Sequence, residues 1–232
     1  AEYLTSGITA NFDMYLMPEP AAAASAECGF RTVLTGAVND FTQSVQMLAD
    51  WYQTLNRYDP LISFLPGFHA EYTTSYAILK ELGQLAVSLR APMYMHNSET
   101  AREVAGCLAR YGKTPSALFE ELGIFDYGGG GFHCVYLSDE DLEIFRRHGV
   151  YAVTCPAANL KLASGIAPIA RMLSHGIRVA VGTDGPAGNN ALDLFRELYL
   201  VSVLAKHRSF DAAALDAVQV FGMATVYGAR AM

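Results

Sequence analysis

Residues 178–185 read RVAVGTDG, an apolar run of strand length that ends in a carboxylate, Asp184, followed by glycine. The design recurs upstream: residues 92–99, PMYMHNSE, carry an apolar run into His96, and residues 131–139, GFHCVYLSD, set His133 among apolar neighbours. Working outward from these, seven runs are predicted strands: Ile8–Met14, Arg31–Ala37, Leu61–Gly67, Met93–His96, Phe132–Tyr136, Tyr151–Cys155 and Val179–Thr183. The stretches between them read as helices. Pro18 leads into the alanine run Ala21–Ala24, Ser75–Leu89 has apolar residues at helical spacing, Ser138 and Asp141 form a capping pattern, and Ala167–His175 stops at Gly176. Alternating strand and helix patterns predict an α/β fold with a parallel sheet wrapped by helices. In a closed TIM-type (β/α)8 barrel the C-terminal strand ends converge on one face, where the chemistry is done. Two imidazoles and a carboxylate arriving there suit a divalent metal.

The bulk numbers narrow the classes. At 232 residues the chain is long enough to bury a large core. Apolar residues make up 52% and charged residues 17%, which excludes an intrinsically disordered chain. Net charge is −7 with no Lys/Arg run, so neither nucleic acid nor an anionic membrane is an expected partner. No apolar stretch approaches the roughly 18 residues of a membrane helix. Cys28, Cys107, Cys134 and Cys155 form no C-x-x-C pair and read as reduced, mostly buried thiols of a cytoplasmic protein. With no internal repeat and no long linker, residues 1–232 are read as one barrel-type domain.

The succession GITANFDMY (7–15), HAEYTTS (69–75), MHNSE (95–99), HCVYLSDEDL (133–142), CPAANLKLASGIAPI (155–169) and VAVGTDGPAGNNALDLFRE (179–197) resembles the amidohydrolase superfamily. Within it, the chain is most similar to the branch of methylthioadenosine/S-adenosylhomocysteine deaminases and chlorohydrolases. The resemblance covers nearly the whole chain, and NLKLASGIAPI followed by GTDGPAGNN is its most specific part.

The resemblance implies a metal-dependent hydrolase of barrel fold, with one divalent metal, zinc or ferrous iron, at the C-terminal mouth. His96 would be a metal ligand. Glu99 would carry a proton to the substrate's ring nitrogen and bind that ring. His133 would orient or deprotonate the attacking water, and Asp184 would touch both metal and water. His69 would contact a small heterocyclic substrate, and Glu2 would face the ribose hydroxyls. The implied reaction is hydrolytic deamination of an amino-purine, nucleoside or related heterocycle. Its chemistry suits these residue types, because zinc lowers the pKa of a bound water to about 7 and two carboxylates can divide the proton traffic.

Departures from the family pattern carry equal weight. No His-x-His occurs in the chain, although the family takes two further ligands from such a pair on its first barrel strand. Seven strands are also one fewer than a closed barrel needs. The chain is therefore read as lacking the first strand, with its His-x-His, and the flanking β-sandwich. On that reading it is expected to hold metal weakly and to form homo-oligomers through unpaired strand edges. Tyr136 stands where the family has a second His, and Gly128–Gly131 precede His133 where an apolar strand is usual. Around Gly36–Gln43 no arginine is available to pair a substrate carboxylate, which disfavours S-adenosylhomocysteine.

Each functional assignment has a plainer rival. His148 and His175 precede glycines at helix ends, where an imidazolium favours the helix dipole; His207 reads as a surface residue. Glu99 could be a solvated loop carboxylate and Asp184 a helix N-cap. Asn159 and Lys161 are expected only to shape their loop. Three other functions stay open: a dechlorinating or other C–N hydrolase of the superfamily, a phosphate-binding barrel using GTDGPAGNN, and a non-catalytic barrel with an incomplete metal site.

Overall fold

The structure, a computed structural model, describes residues 2–232. Its strands are β1 (Ala10–Met14), β2 (Arg31–Thr35), β3 (Ile62–Leu65), β4 (Met93–Asn97), β5 (Gly129–His133), β6 (Tyr151–Thr154) and β7 (Val179–Val181). All pairings are parallel, in the orders β1-β2-β3 and β4-β5-β6-β7. The two groups meet through an isolated bridge between Gly67 and Tyr94. Beside it, Tyr94 N donates to the Pro66 carbonyl at 3.1 Å and His96 N to the His69 carbonyl at 2.9 Å. Strand order in space therefore follows strand order in the chain. An order that never reverses keeps right-handed crossovers on one side of the sheet, as in a barrel, and distinguishes this fold from a doubly wound sheet.

Aromatic rings fill the inner face. Phe12 of β1 lies 4.5 Å from Tyr94 of β4 and 5.7 Å from Phe132 of β5, centroid to centroid. The Tyr94 hydroxyl donates to the Ala231 carbonyl, so the C-terminal helix Val226–Ala231 is tied to this layer. Between strands and outer helices, Phe64, Phe68, Phe119, Phe125, Leu79 and Leu82 are fully buried in one continuous core. At the outer edges, β1 pairs only with β2, while the helices Ala217–Ala224 and Val226–Ala231 pack beside β7.

Six strands form where the sequence predicts them, with ends shifted by at most two residues: five are shorter and β4 is one residue longer. The exception is β5, expected at Phe132–Tyr136 and found at Gly129–His133. The glycines are the strand itself and pair in full register with Met93–Asn97. A Cβ on Gly129 would fall 2.0 Å from the Met93 carbonyl oxygen, and one on Gly130 2.5 Å from the Tyr94 ring. The Met93 backbone and the Tyr94 ring thus occupy the volume that this strand's own side chains would need. The apolar residues that follow cannot continue it, because His133 (φ 69°) and Cys134 (φ 52°) are left-handed and turn the chain. Elsewhere, the helix Asp139–His148 starts with the reciprocal Ser138–Asp141 capping box and ends at Gly149 (φ 65°).

Candidate active site

The exits of β3, β4 and β5 set three imidazoles in a row. The His69 and His96 rings lie 4.8 Å apart, and those of His96 and His133 stack at 5.2 Å. His96 Nδ1 is 2.7 Å from the His69 carbonyl oxygen, which accepts its proton and leaves Nε2 with a free lone pair. Burial holds the His96 pKa down to about 3, and the His133 and His69 imidazoles add to that depression. It is therefore neutral at physiological pH, the form that ligates metals. Burial also lowers the His69 pKa, and its Nδ1 meets Thr73 Oγ1 at 2.9 Å.

Glu99 stands opposite this row, its Oε2 4.0 Å from His133 Nε2. Two devices hold it. The Ser164 hydroxyl donates to its Oε1 at 2.8 Å. Its backbone belongs to a turn gathered by Glu103, whose carboxylate accepts from the amides of Ser98 (2.9 Å), Glu99 (2.7 Å) and Thr100 (3.4 Å). Glu103 also closes a capping box with Thr100 at the start of the helix Ala101–Tyr111, and burial raises its pKa. Ser98 (φ 52°), His133 and Asp184 (φ 60°) all carry left-handed backbone just where the chain leaves β4, β5 and β7. Strain of that kind, concentrated in one small region, is a mark of functional sites.

Two expected site residues make no hydrogen bond or ion pair with the three histidines among the described residues. Asp184 is exposed, and its Oδ1 accepts from its own neighbour, Gly185 N, at 2.6 Å. Its amide donates to the sulfur of Cys155, at the exit of β6. Among the described residues no three His, Cys, Asp or Glu side chains are gathered closely enough to hold a metal. The donors fit a divalent metal in kind, since His96 is neutral and has the carbonyl partner that ligating histidines use. They fall short in number, because catalytic zinc takes three protein ligands. Glu2 is exposed on the short helix Glu2–Thr5, and its carbonyl accepts from Thr5 Oγ1 at 3.0 Å. The adjacent Tyr3 stacks on Phe30 beside the start of β2, and among the described residues nothing joins Glu2 to the three histidines. The ribose role expected of Glu2 therefore has no support in the geometry.

Asn159 corrects the opposite expectation. It does more than shape its loop, because its Oδ1 lies 2.7 Å from His133 Nδ1. Glu197 links this region to the loop after β7: one oxygen accepts from Ala157 N at 3.0 Å, and the other from Asn189 Nδ2 at 2.7 Å. Asn189 Nδ2 also donates to the Thr183 carbonyl at 2.6 Å, beside Asp184. Lys161 closes the link by donating to the Ala187 carbonyl at 2.7 Å and Asn190 Oδ1 at 2.6 Å. Tyr136 is exposed, and its backbone amide donates to the Ser98 carbonyl at 2.9 Å. His148 pairs with Glu120 at 2.9 Å, and His175 meets the Arg171 carbonyl at 2.8 Å; both keep the helix-end roles expected of them.

The sequence pattern of the Amidohydrolase family matches residues 1–232, the whole chain. The chain belongs to that family. Among curated amidohydrolases, a 5-methylthioadenosine/S-adenosylhomocysteine deaminase of Thermoanaerobacter pseudethanolicus is 40% identical over 238 residues, covering 100% of this chain and 55% of the relative. A 5′-deoxyadenosine deaminase of Methanothermobacter thermautotrophicus is 36% identical, with 100% and 56% covered. The crystal structure of an adenosine deaminase from Xanthomonas campestris with bound zinc superposes with a TM-score of 0.92 at 35% identity, covering 99% of this chain and 54% of that one. The amidohydrolase chain thus spans about half the length of the relatives it matches. The parallel strands correspond to part of a TIM-type barrel, as the sequence predicts. No helix among the described residues is long and apolar enough to cross a membrane.

Proposed function

We propose that this chain carries one side of the active site of a metal-dependent hydrolase that deaminates an amino-purine, a nucleoside or a related heterocycle. The observation that carries this reading is the Glu99 carboxylate, fixed by Ser164 and the Glu103 turn, 4.0 Å from His133 Nε2 and within electrostatic reach of His69. Deamination adds the oxygen of water to the ring carbon that bears the amine and breaks that carbon's bond to nitrogen. Both protons of the water are transferred in turn, one to the ring nitrogen and one to the amine, which departs as ammonia and leaves a ring carbonyl. Glu99 delivers the proton to the ring nitrogen. His133 Nε2, lacking a strong partner, orients the water or takes its proton, and Asp184 shares that role. His69, on the same rim, contacts the substrate.

His96 and Asp184 are the residues that would hold a divalent metal, zinc by analogy with the Xanthomonas structure. Such an ion makes hydroxide available near neutral pH by lowering the pKa of water to about 7. Two donors are too few for tight binding, so the chain by itself is expected to hold zinc weakly. The free edge of β1 favours self-association of this chain, and sedimentation at micromolar concentration checks it. Four unpaired cysteines fit a reducing, cytoplasmic setting.

A chimera that adds the unmatched portion of the Thermoanaerobacter relative to this chain tests the reading. It is expected to bind one zinc and release ammonia from adenosine-type substrates, while the chain alone does neither. Chloride release from chlorinated triazines without any ammonia from purines would favour the dechlorinating alternative. One tightly bound zinc in the chain alone would overturn the account of its ligands.

A further inference from the structure

His133 and Asn159 make a pair whose consequence goes beyond the site's composition. Both are buried, with 3% and 1% of their surfaces exposed, and no other hydrogen bond within 3.5 Å reaches the His133 ring among the described residues. A carbonyl oxygen carries no proton, so a contact of 2.7 Å between Asn159 Oδ1 and His133 Nδ1 requires the proton to sit on Nδ1. In the neutral ring Nε2 is then the bare nitrogen. At 4.0 Å from Glu99 Oε2 it is beyond hydrogen-bond range, and a separation of that size is what one bridging water spans.

We propose that Asn159 is a positioning residue that locks His133 in its Nδ1–H tautomer and so reserves Nε2 as an acceptor facing Glu99. The assignment rests on the reading of His133 as part of the active site.

Asn159 is itself held on several sides. It sits in the short helix Pro156–Lys161, where its amide donates to the Cys155 carbonyl at 2.9 Å. Its own carbonyl accepts from Ser164 N at 2.8 Å and Gly165 N at 3.3 Å. Ser164 is also the residue that holds Glu99, so one loop fixes the partners of both His133 and Glu99. Asn159 Nδ2 has no protein partner, and Asn159 lines a cavity of about 10 Å³, close to the space one water needs. The choice of amide over carboxylate matters chemically. An aspartate here would also select the Nδ1–H tautomer, but its charge would favour the imidazolium. The neutral amide selects the tautomer without adding a charge that would favour the imidazolium.

The test reads the tautomer directly and does not depend on turnover. The chain is labelled with ¹⁵N-histidine, kept metal-free with a chelator, and examined by long-range ¹H–¹⁵N correlation; His133→Gln identifies the resonances. The expected result is a protonated, pyrrole-type Nδ1 and a pyridine-type Nε2. Asn159→Asp should keep Nδ1 protonated while shifting Nε2 toward the protonated form, and Asn159→Leu should abolish the pattern, giving Nε2–H or an exchanging mixture. A wild-type ring protonated on Nε2, or averaged between tautomers, overturns the proposal whether or not the variants fold. So does an unchanged pattern in a folded Asn159→Leu chain. Ammonia release by the chimera together with the opposite tautomer would defeat this inference alone. The expected tautomer in a chimera that deaminates nothing would defeat the functional reading alone.

Discussion

The exits of β4 and β5 and the exit of β7 are built differently. At the first, Glu99, His96 and His133 each have a partner from another segment: the Ser164 hydroxyl, the His69 carbonyl and the Asn159 amide oxygen. At the second, the exposed Asp184 carboxylate turns onto the amide of its own neighbour. The first region is fixed by contacts that cross between strands, whereas the second is a local turn tethered from behind by Asn189 and Glu197. A carboxylate satisfied by its own backbone is free to be recruited, and one held by a hydroxyl from a distant loop and by a braced turn is already aimed. Glu99, His96 and His133 are thus preorganised in this chain, whereas Asp184 is held only by its own turn.

The largest effect that could break this contrast is on turnover. In the active chimera, Glu99→Gln keeps size and polarity but removes the proton carrier, so turnover should fall ~10²-fold or more with zinc content unchanged. Steady-state kinetics beside metal analysis decides it; turnover within a few-fold of wild type would mean the preorganised carboxylate is not the acid.

Next in size is substrate choice. The loop at Gly36–Gln43 is well ordered by Asn39, whose Oδ1 accepts from Phe41 N at 2.8 Å and Thr42 N at 3.0 Å, but it offers no cation. A charge-assisted hydrogen bond is worth about 1.5–3 kcal/mol, or roughly ten- to a hundred-fold. 5′-Methylthioadenosine should therefore exceed S-adenosylhomocysteine in kcat/KM by about that factor, and equal values would locate a carboxylate grip elsewhere.

Glu103→Gln probes how much of the first region depends on its turn. Gln keeps one acceptor oxygen and puts an NH2 donor in place of the other, so either the Ser98 amide or those of Glu99 and Thr100 lose their partner. This should lower stability by about 1–3 kcal/mol and reduce kcat more than it raises KM. Burial raises the Glu103 pKa, so the folded chain binds this proton more tightly than the unfolded one. Its contribution to stability falls as pH rises from the ordinary value near ~4.3 through the raised one, and the Gln variant should flatten that slope in urea titrations at several pH values.

The smallest effect separates the regions by their breathing. Cys134 leaves β5 and Cys155 leaves β6 beside Asp184, and burial pushes both thiols well above their usual pKa. Burial raises Cys107 to about 12. In a labelling time course followed by mass spectrometry, exposed Cys28 should react first, and Cys155 a few-fold faster than Cys134. Equal rates for the last two would erase the distinction between a fixed exit and a looser one.

The sequence made most of this architecture readable, and the reasons differ by element. Strands such as Met93–His96 announce themselves by apolar runs, and His69, His96, His133 and Glu99 do meet at one rim as their places after those runs imply. β5 was displaced because glycine contributes nothing to a hydrophobic pattern, and the run that follows it looks more strand-like than the strand. The contacts of Asn159 and Glu103 with the site are not legible in the sequence for a different reason. Their roles lie in hydrogen bonds between segments, such as the 26 residues separating Asn159 from His133, and no local pattern encodes those. The Glu at the third position of the helix after Thr100 was the one available signal, since it makes a capping box. The ligand expected at Asp184 and the ribose contact expected at Glu2 rest on resemblance, which carries residue identity but not side-chain direction.

A strand made of Gly129–Gly131 has no side chains with which to hold its own alignment. The placement of His133 is consequently borrowed: it is set by the ring of Tyr94, whose edge fills the space above Gly130, and by Cys134, Asn97 and Phe145, which crowd the place where Gly131 would have grown a methyl group. Anything that thins those rings gives the strand room to slip, and a slip of one residue turns an inward side chain outward. Substitutions that thin these neighbours should therefore disturb His133 without touching its ring.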